Sequence, residues 1–90
     1  MEKETKQIII TGRVQGVFFR RFTSDLASRL HIVGFVRNEI DDSVYIEAQG
    51  KKDDMISFIQ KLHQGPKHAT VDHVSIVDRE NSSYEGFSIL

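Results

Sequence analysis

The chain has 90 residues, 39% of them hydrophobic and 28% charged, with a formal net charge of −1 and no cysteine. That length supports one small core without a second lobe, and the ordinary composition argues against wholesale disorder. The lack of a basic excess argues against a nucleic-acid module, and the lack of thiols excludes disulfides, thiolate nucleophiles and sulfur-ligated metals.

Residues 1–90 are read as one domain, with the polar segment 1–5 expected to fray. No apolar stretch suits export or a membrane span, so a cytoplasmic protein is expected. Ile8, Ile9, Ile10 and Val14 predict a strand over about 6–14. From about Arg20 to Leu30 an amphipathic helix follows, with Phe22, Leu26 and Leu30 four apart and Phe19 and Ala27 beside them. Strands are predicted from Ile32 to Asn38 and over "VYIEAQG", joined across the acidic turn Glu39–Ser43. A second helix, "DDMISFIQKLHQGP", starts near Asp53 or Asp54 and stops at Gly65-Pro66. Its expected apolar stripe is Met55, Ile56, Ile59 and Leu62. "TVDHVSIVD" predicts a fourth strand, alternating Val71, His73 and Ser75 against Asp72, Val74 and Ile76, and "GFSIL" a short last one. The order βαββαβ with a final β piece predicts an α+β fold. It is the ferredoxin-like two-layer sandwich, with right-handed crossovers and both helices on one face of an antiparallel or mixed sheet.

The junction "GRVQGVFFRRF" carries the chemistry. Gly16 permits a positive φ and leaves room for a ligand. The amides of Gln15, Gly16, Val17, Phe18, Phe19 and Arg20 can converge into a nest, extended by the free N–H groups of the following helix. Arg20 adds a planar fork that matches a phosphate. Two arginines at a helix start oppose the macrodipole, and a bound dianion would offset that. Taken alone, the spacing also fits plain turn punctuation with solvated arginines. Neither the Walker A nor the dinucleotide glycine spacing is present.

The stretch Gly12-Arg13-Val14-Gln15-Gly16-Val17-Phe18-Phe19-Arg20 resembles the signature of the acylphosphatases. A second stretch also resembles that family: Gly34-Phe35-Val36-Arg37-Asn38, then Asp41 and Val44. Gly65-Pro66, Ala69, Val71 and Gly86-Phe87 extend the likeness from about Lys6 to Leu90. The resemblance implies a metal-free, cofactor-free hydrolase that splits acyl phosphates into a carboxylate and inorganic phosphate. It implies that Arg20 binds the phosphoryl group among the loop amides and that Asn38 orients the attacking water. The expected partners are a small acyl phosphate and inorganic phosphate as product and inhibitor. No nucleic acid or membrane is expected, and the chain is expected to act as a monomer. Three residues depart from the pattern. His31 stands where glycine is frequent, Asp42 follows Asp41 where Asp-Gly is usual, and Phe35 replaces a frequent tryptophan.

Other features have plainer readings. His63, His68 and His73 fit no metal-ligand spacing, and Asp41-Asp42 and Asp53-Asp54 suit a turn and a helix start. "VGFVRN" lacks the second aromatic pair of an RNA-binding strand, so Phe35 is expected in the core or the site wall. Arg13, Arg21 and Arg37 either raise the local potential or are solvated. Phe18, Phe19 and Phe22 are expected in the core. The alternative to an enzyme is a non-catalytic anion-binding or regulatory domain on the same fold.

Overall fold

The computed structural model describes residues 2–90. Its order is β1 (Lys3–Arg13), α1 (Phe19–Arg29), β2 (Val33–Asn38), β3 (Val44–Lys51), α2 (Lys52–Gln64), β4 (Thr70–Arg79) and β5 (Phe87–Ile89). The strands form one mixed sheet in the order β4-β1-β3-β2-β5, antiparallel except for the parallel pair β2–β5. The fold is the ferredoxin-like α+β sandwich. Ile8 pairs with Ile46 and Ile10 with Val44, and Val36 joins Ile46 from the other side. These side chains share one sheet face, because alternate strand residues point the same way. Phe19, Leu26 and Ala27 of α1 and Met55, Phe58 and Leu62 of α2 complete the core against them.

Several details depart from the sequence-based expectation. The polar 1–5 segment predicts fraying, but β1 already runs from Lys3, which pairs with Lys51; Met1 lies outside the described residues. Thr5 is buried, its hydroxyl 2.6 Å from Gln49 Oε1. In α2 the inward residue is Phe58, whereas Ile56 is 48% exposed. Both fit a 3.6-residue period, and the larger ring takes the core side. Asp53 and Asp54 lie in the first turn of α2, but no side chain caps it, so they act there through the dipole alone. A register shift between Thr11 and Gly12 breaks the alternation in β4, so Val71 and Val74 both pack against the core. Gly12 belongs to this irregularity and not to the loop after it. Its φ is 126°, and a Cβ there would lie 2.2 Å from the Thr70 carbonyl oxygen.

Phe35 sits neither in the core nor at the expected site. It stacks on Tyr45 on the sheet face away from the helices, with the Arg37 guanidinium 4.4 Å from the Tyr45 ring centre. Across that face the 80–86 segment carries the chain from β4 at one edge to β5 at the other. Gln49 accepts from the Ser82 amide, and the Tyr84 hydroxyl donates to Glu47. Burial, with the Glu47 carboxylate beside it, pushes the Tyr84 hydroxyl pKa up to about 12.

The departure at His31 has a stability consequence. α1 closes with the Ile32 amide on the Ala27 carbonyl and the His31 amide on Ser28, which is the Schellman pattern, and both Ala27 and Ile32 are buried. The pattern requires a left-handed residue, and His31 holds φ 57°. A side chain there costs about 1–2 kcal/mol, against roughly 0.5–1 kcal/mol of extra backbone entropy for glycine. His31→Gly is therefore expected to stabilise the fold by about 0.5–1 kcal/mol, read as a higher denaturant midpoint at unchanged slope.

Candidate active site

β1 ends at Arg13, and Val14 is fully buried, pinning the start of the loop to the core. Gly16 has φ 73° and Phe18 φ 65°, with Val17 between them on the ordinary side of φ. Alternating signs of φ are the backbone pattern that can turn successive N–H groups toward one point. Among the described residues, none of the amides of Gln15, Gly16, Val17 and Phe18 donates to a main-chain acceptor. A Cβ on Gly16 would meet nothing within 4 Å, so the glycine serves conformation there and not packing. The first turn of α1 adds its own free N–H groups and carries no acidic residue.

The Gln15 side chain does something its spacing does not reveal. Its Nε2 donates to the Glu39 and Ser43 carbonyls, each at 2.9 Å, and so ties the loop to the β2–β3 turn. That turn is closed by the Glu39 amide on Ser43 O at 2.9 Å. Asp42 takes the left-handed position at φ 73°, in place of the usual glycine. The Asp41 carboxylate accepts from the Ser43 hydroxyl and amide, which holds its pKa below the ordinary value. The departure at Asp42 thus leaves a closed turn beside Asn38.

Asn38 is the last residue of β2, two positions beyond the fully buried Val36 and so on the same sheet face. The helix layer no longer covers it, and its side chain borders a cavity. Arg37 points the other way and pairs with Glu39 at 2.8 Å. Arg20, in the first turn of α1, is half-buried, and its Nη1 donates to the Leu90 main-chain oxygen at 2.9 Å. Leu90 is itself held by its amide on Val36 O.

The cavity, about 340 Å³, is lined by Gly16, Phe18, Phe19, Arg20 and Asn38, together with Val14, Arg21 and Ile89. It brings both side chains singled out in the sequence to one place. Gln15 and Val17 are not on its wall. Val17 is buried, and Gln15 contributes through its side chain at the turn. Arg21 was legible only as nearby charge, and it also pairs with Asp25 at 3.3 Å. Ile89 arrives through the parallel pairing of β5 with β2. Arg13 is exposed at the end of β1, and the histidines 63, 68 and 73 are exposed on α2, the following loop and β4.

Phe18 contradicts its expected place in the core. It is 79% exposed, while Phe19 is buried and Phe22 is partly buried against the core. A bulky residue in left-handed backbone costs about 1–3 kcal/mol, and little burial offsets it.

Comparisons with known proteins identify the family and the fold. The acylphosphatase family model matches residues 6–89. The acylphosphatase of Salinibacter ruber is 49% identical over 82 residues, covering 89% of this chain and 85% of that one. The acylphosphatase of Bifidobacterium longum is 47% identical, covering 81% and 75%. The crystal structure of acylphosphatase from Bacillus subtilis superposes with a TM-score of 0.94 at 33% identity, covering 97% of this chain and 98% of that chain. Among the described residues, no helix is long and apolar enough to cross a membrane. This chain belongs to the acylphosphatase family, hydrolases that act on acyl phosphates.

Proposed function

We propose that the chain hydrolyses small acyl phosphates in this cavity, without a metal ion, using loop amides, Arg20 and a water held by Asn38. One observation supports the reading: Gly16, Phe18, Phe19, Arg20 and Asn38 border a single cavity at the positive end of a helix. The amides of Gly16, Phe18, Phe19 and Arg20, residues that border the cavity, surround the phosphoryl oxygens. Arg20 keeps one N–H on the Leu90 oxygen and has others free for a two-point grip. Fixed donors of this kind stabilise charge on the equatorial oxygens without reorganising during the reaction.

The water oxygen attacks phosphorus while the bond from phosphorus to the acyl oxygen breaks. The leaving group is a carboxylate, whose acid has a pKa of about 4, so no general acid has to protonate it. The Asn38 carboxamide accepts from and donates to the water and sets its line of attack, without acting as a base. The water proton passes to a phosphoryl oxygen, and inorganic phosphate remains as a competitive occupant of the cradle.

The test is phosphate release from benzoyl phosphate by the purified protein. Hydrolysis is expected, with competitive inhibition by inorganic phosphate. Phosphate binding with no hydrolysis above the buffer rate would replace this reading with that of a non-catalytic anion-binding domain.

A further inference from the structure

Nothing in the fold or the phosphoryl chemistry explains the side chain of Phe18. Glycine would hold φ 65° without strain, and the ring gains little from burial at 79% exposure. The cradle uses only the backbone of this residue. Yet Phe18, with its ring exposed, borders the same cavity as Gly16, Phe19 and Arg20. Ile89, 45% exposed, lines that cavity from β5, and the buried Val14 also borders it. The cavity therefore has a polar part, made by the α1 N-terminus, Arg20 and Asn38, and an apolar part made by Phe18 and Ile89. A phosphoryl group needs only the first.

We propose that Phe18, with Ile89, is the acyl-recognition surface of this site, and that it selects acyl phosphates with an aromatic acyl group over those with an acetyl group. The inference rests on the hydrolytic reading above and adds the substrate class to it. An acyl phosphate seated with its phosphoryl group in the cradle extends its acyl carbon outward from the loop. An exposed phenyl ring bordering that cavity offers an aromatic acyl group an offset or edge contact and removes apolar area of both partners from water. An acetyl group is too short to gain much from it. The left-handed backbone fixes the direction of the Phe18 Cα–Cβ bond, so only two side-chain torsions have to be ordered on contact.

The test compares kcat/KM for benzoyl phosphate and acetyl phosphate in the parent protein, Phe18→Gly and Phe18→Tyr. The readout is the ratio of the two values, so intrinsic reactivity and any common loss from the loop cancel. Phe18→Gly is expected to lower the benzoyl-to-acetyl ratio about tenfold, on the order of one aromatic contact with its buried area, mainly through a higher KM for benzoyl phosphate. Phe18→Tyr, which keeps the ring, is expected to hold the ratio within about twofold of the parent. A purely structural role for Phe18 predicts equal losses on both substrates. An unchanged ratio in Phe18→Gly, with or without a common loss, overturns the inference and leaves the hydrolytic reading standing. Failure of the parent protein to hydrolyse either substrate overturns both, and phosphate release alone shows which case holds.

Discussion

Arg20→Ala lowers kcat/KM for an acyl phosphate by about three orders of magnitude and weakens inhibition by inorganic phosphate. Removal of one preorganised donor to a developing oxyanion costs about 10²–10³ in rate, and a guanidinium supplies two such donors with a full charge. Arg20→Lys recovers little, because an ammonium cannot hold the Leu90 oxygen and two phosphoryl oxygens in one plane. Stability separates this outcome from simple unfolding. A cation in the first turn of a helix opposes the macrodipole by about 0.3–1 kcal/mol, so its removal relieves the fold. Loss of the bond to Leu90 costs about 0.5–1.5 kcal/mol in the other direction. The two nearly cancel, and the melting temperature is expected to move by no more than about 4 °C. An Arg20→Ala variant within tenfold of the parent would place the phosphoryl group elsewhere.

The order of elements was legible because each carries its own local signal. Ile8, Ile9 and Ile10 mark β1, and Gly65-Pro66 ends α2. The face of each element was less legible. Ile56 and Phe58 both suit a helical stripe, and only the sheet beneath decides that Phe58 turns inward. The slip at Thr11/Gly12 is a pairing property of two strands, invisible in either alone. The site divides in the same way. The loop glycine and Arg20 lie within one local motif, so spacing alone suggests an anion seat, though it fits plain turn punctuation equally well. Asn38 came from the family resemblance, since nothing local says that β2 will end beside α1. It does so because β3 lies between β1 and β2, and the Gln15 side chain fixes the β2–β3 turn against the loop. Phe18 was misplaced for a simple reason. Aromatic residues beside a helix usually pack inward, and a single left-handed residue at the N-cap turned this one out.

Asn38→Ala is expected to leave phosphate inhibition unchanged and lower kcat by about 10²–10³. The carboxamide touches the reaction only through the attacking water, so its loss falls on the transition state and spares ground-state binding of the phosphoryl group. This is the opposite division from Arg20, which acts on both. The site also suits the experiment. Asn38 is exposed at the end of β2, and its backbone pairs with Val44 whatever its side chain, so truncation should change stability by no more than about 0.5 kcal/mol. Asn38→Asp sharpens the distinction. A carboxylate can hold the same water, but it adds negative charge facing the phosphoryl oxygens, so phosphate inhibition weakens as turnover falls. Together the two variants separate position from charge: alanine removes the hold on water alone, and aspartate keeps the hold and adds repulsion. If Asn38→Ala turns over at the parent rate, the water is held by other groups. The loop and Arg20 would then remain a phosphate seat whose attacking group has still to be located.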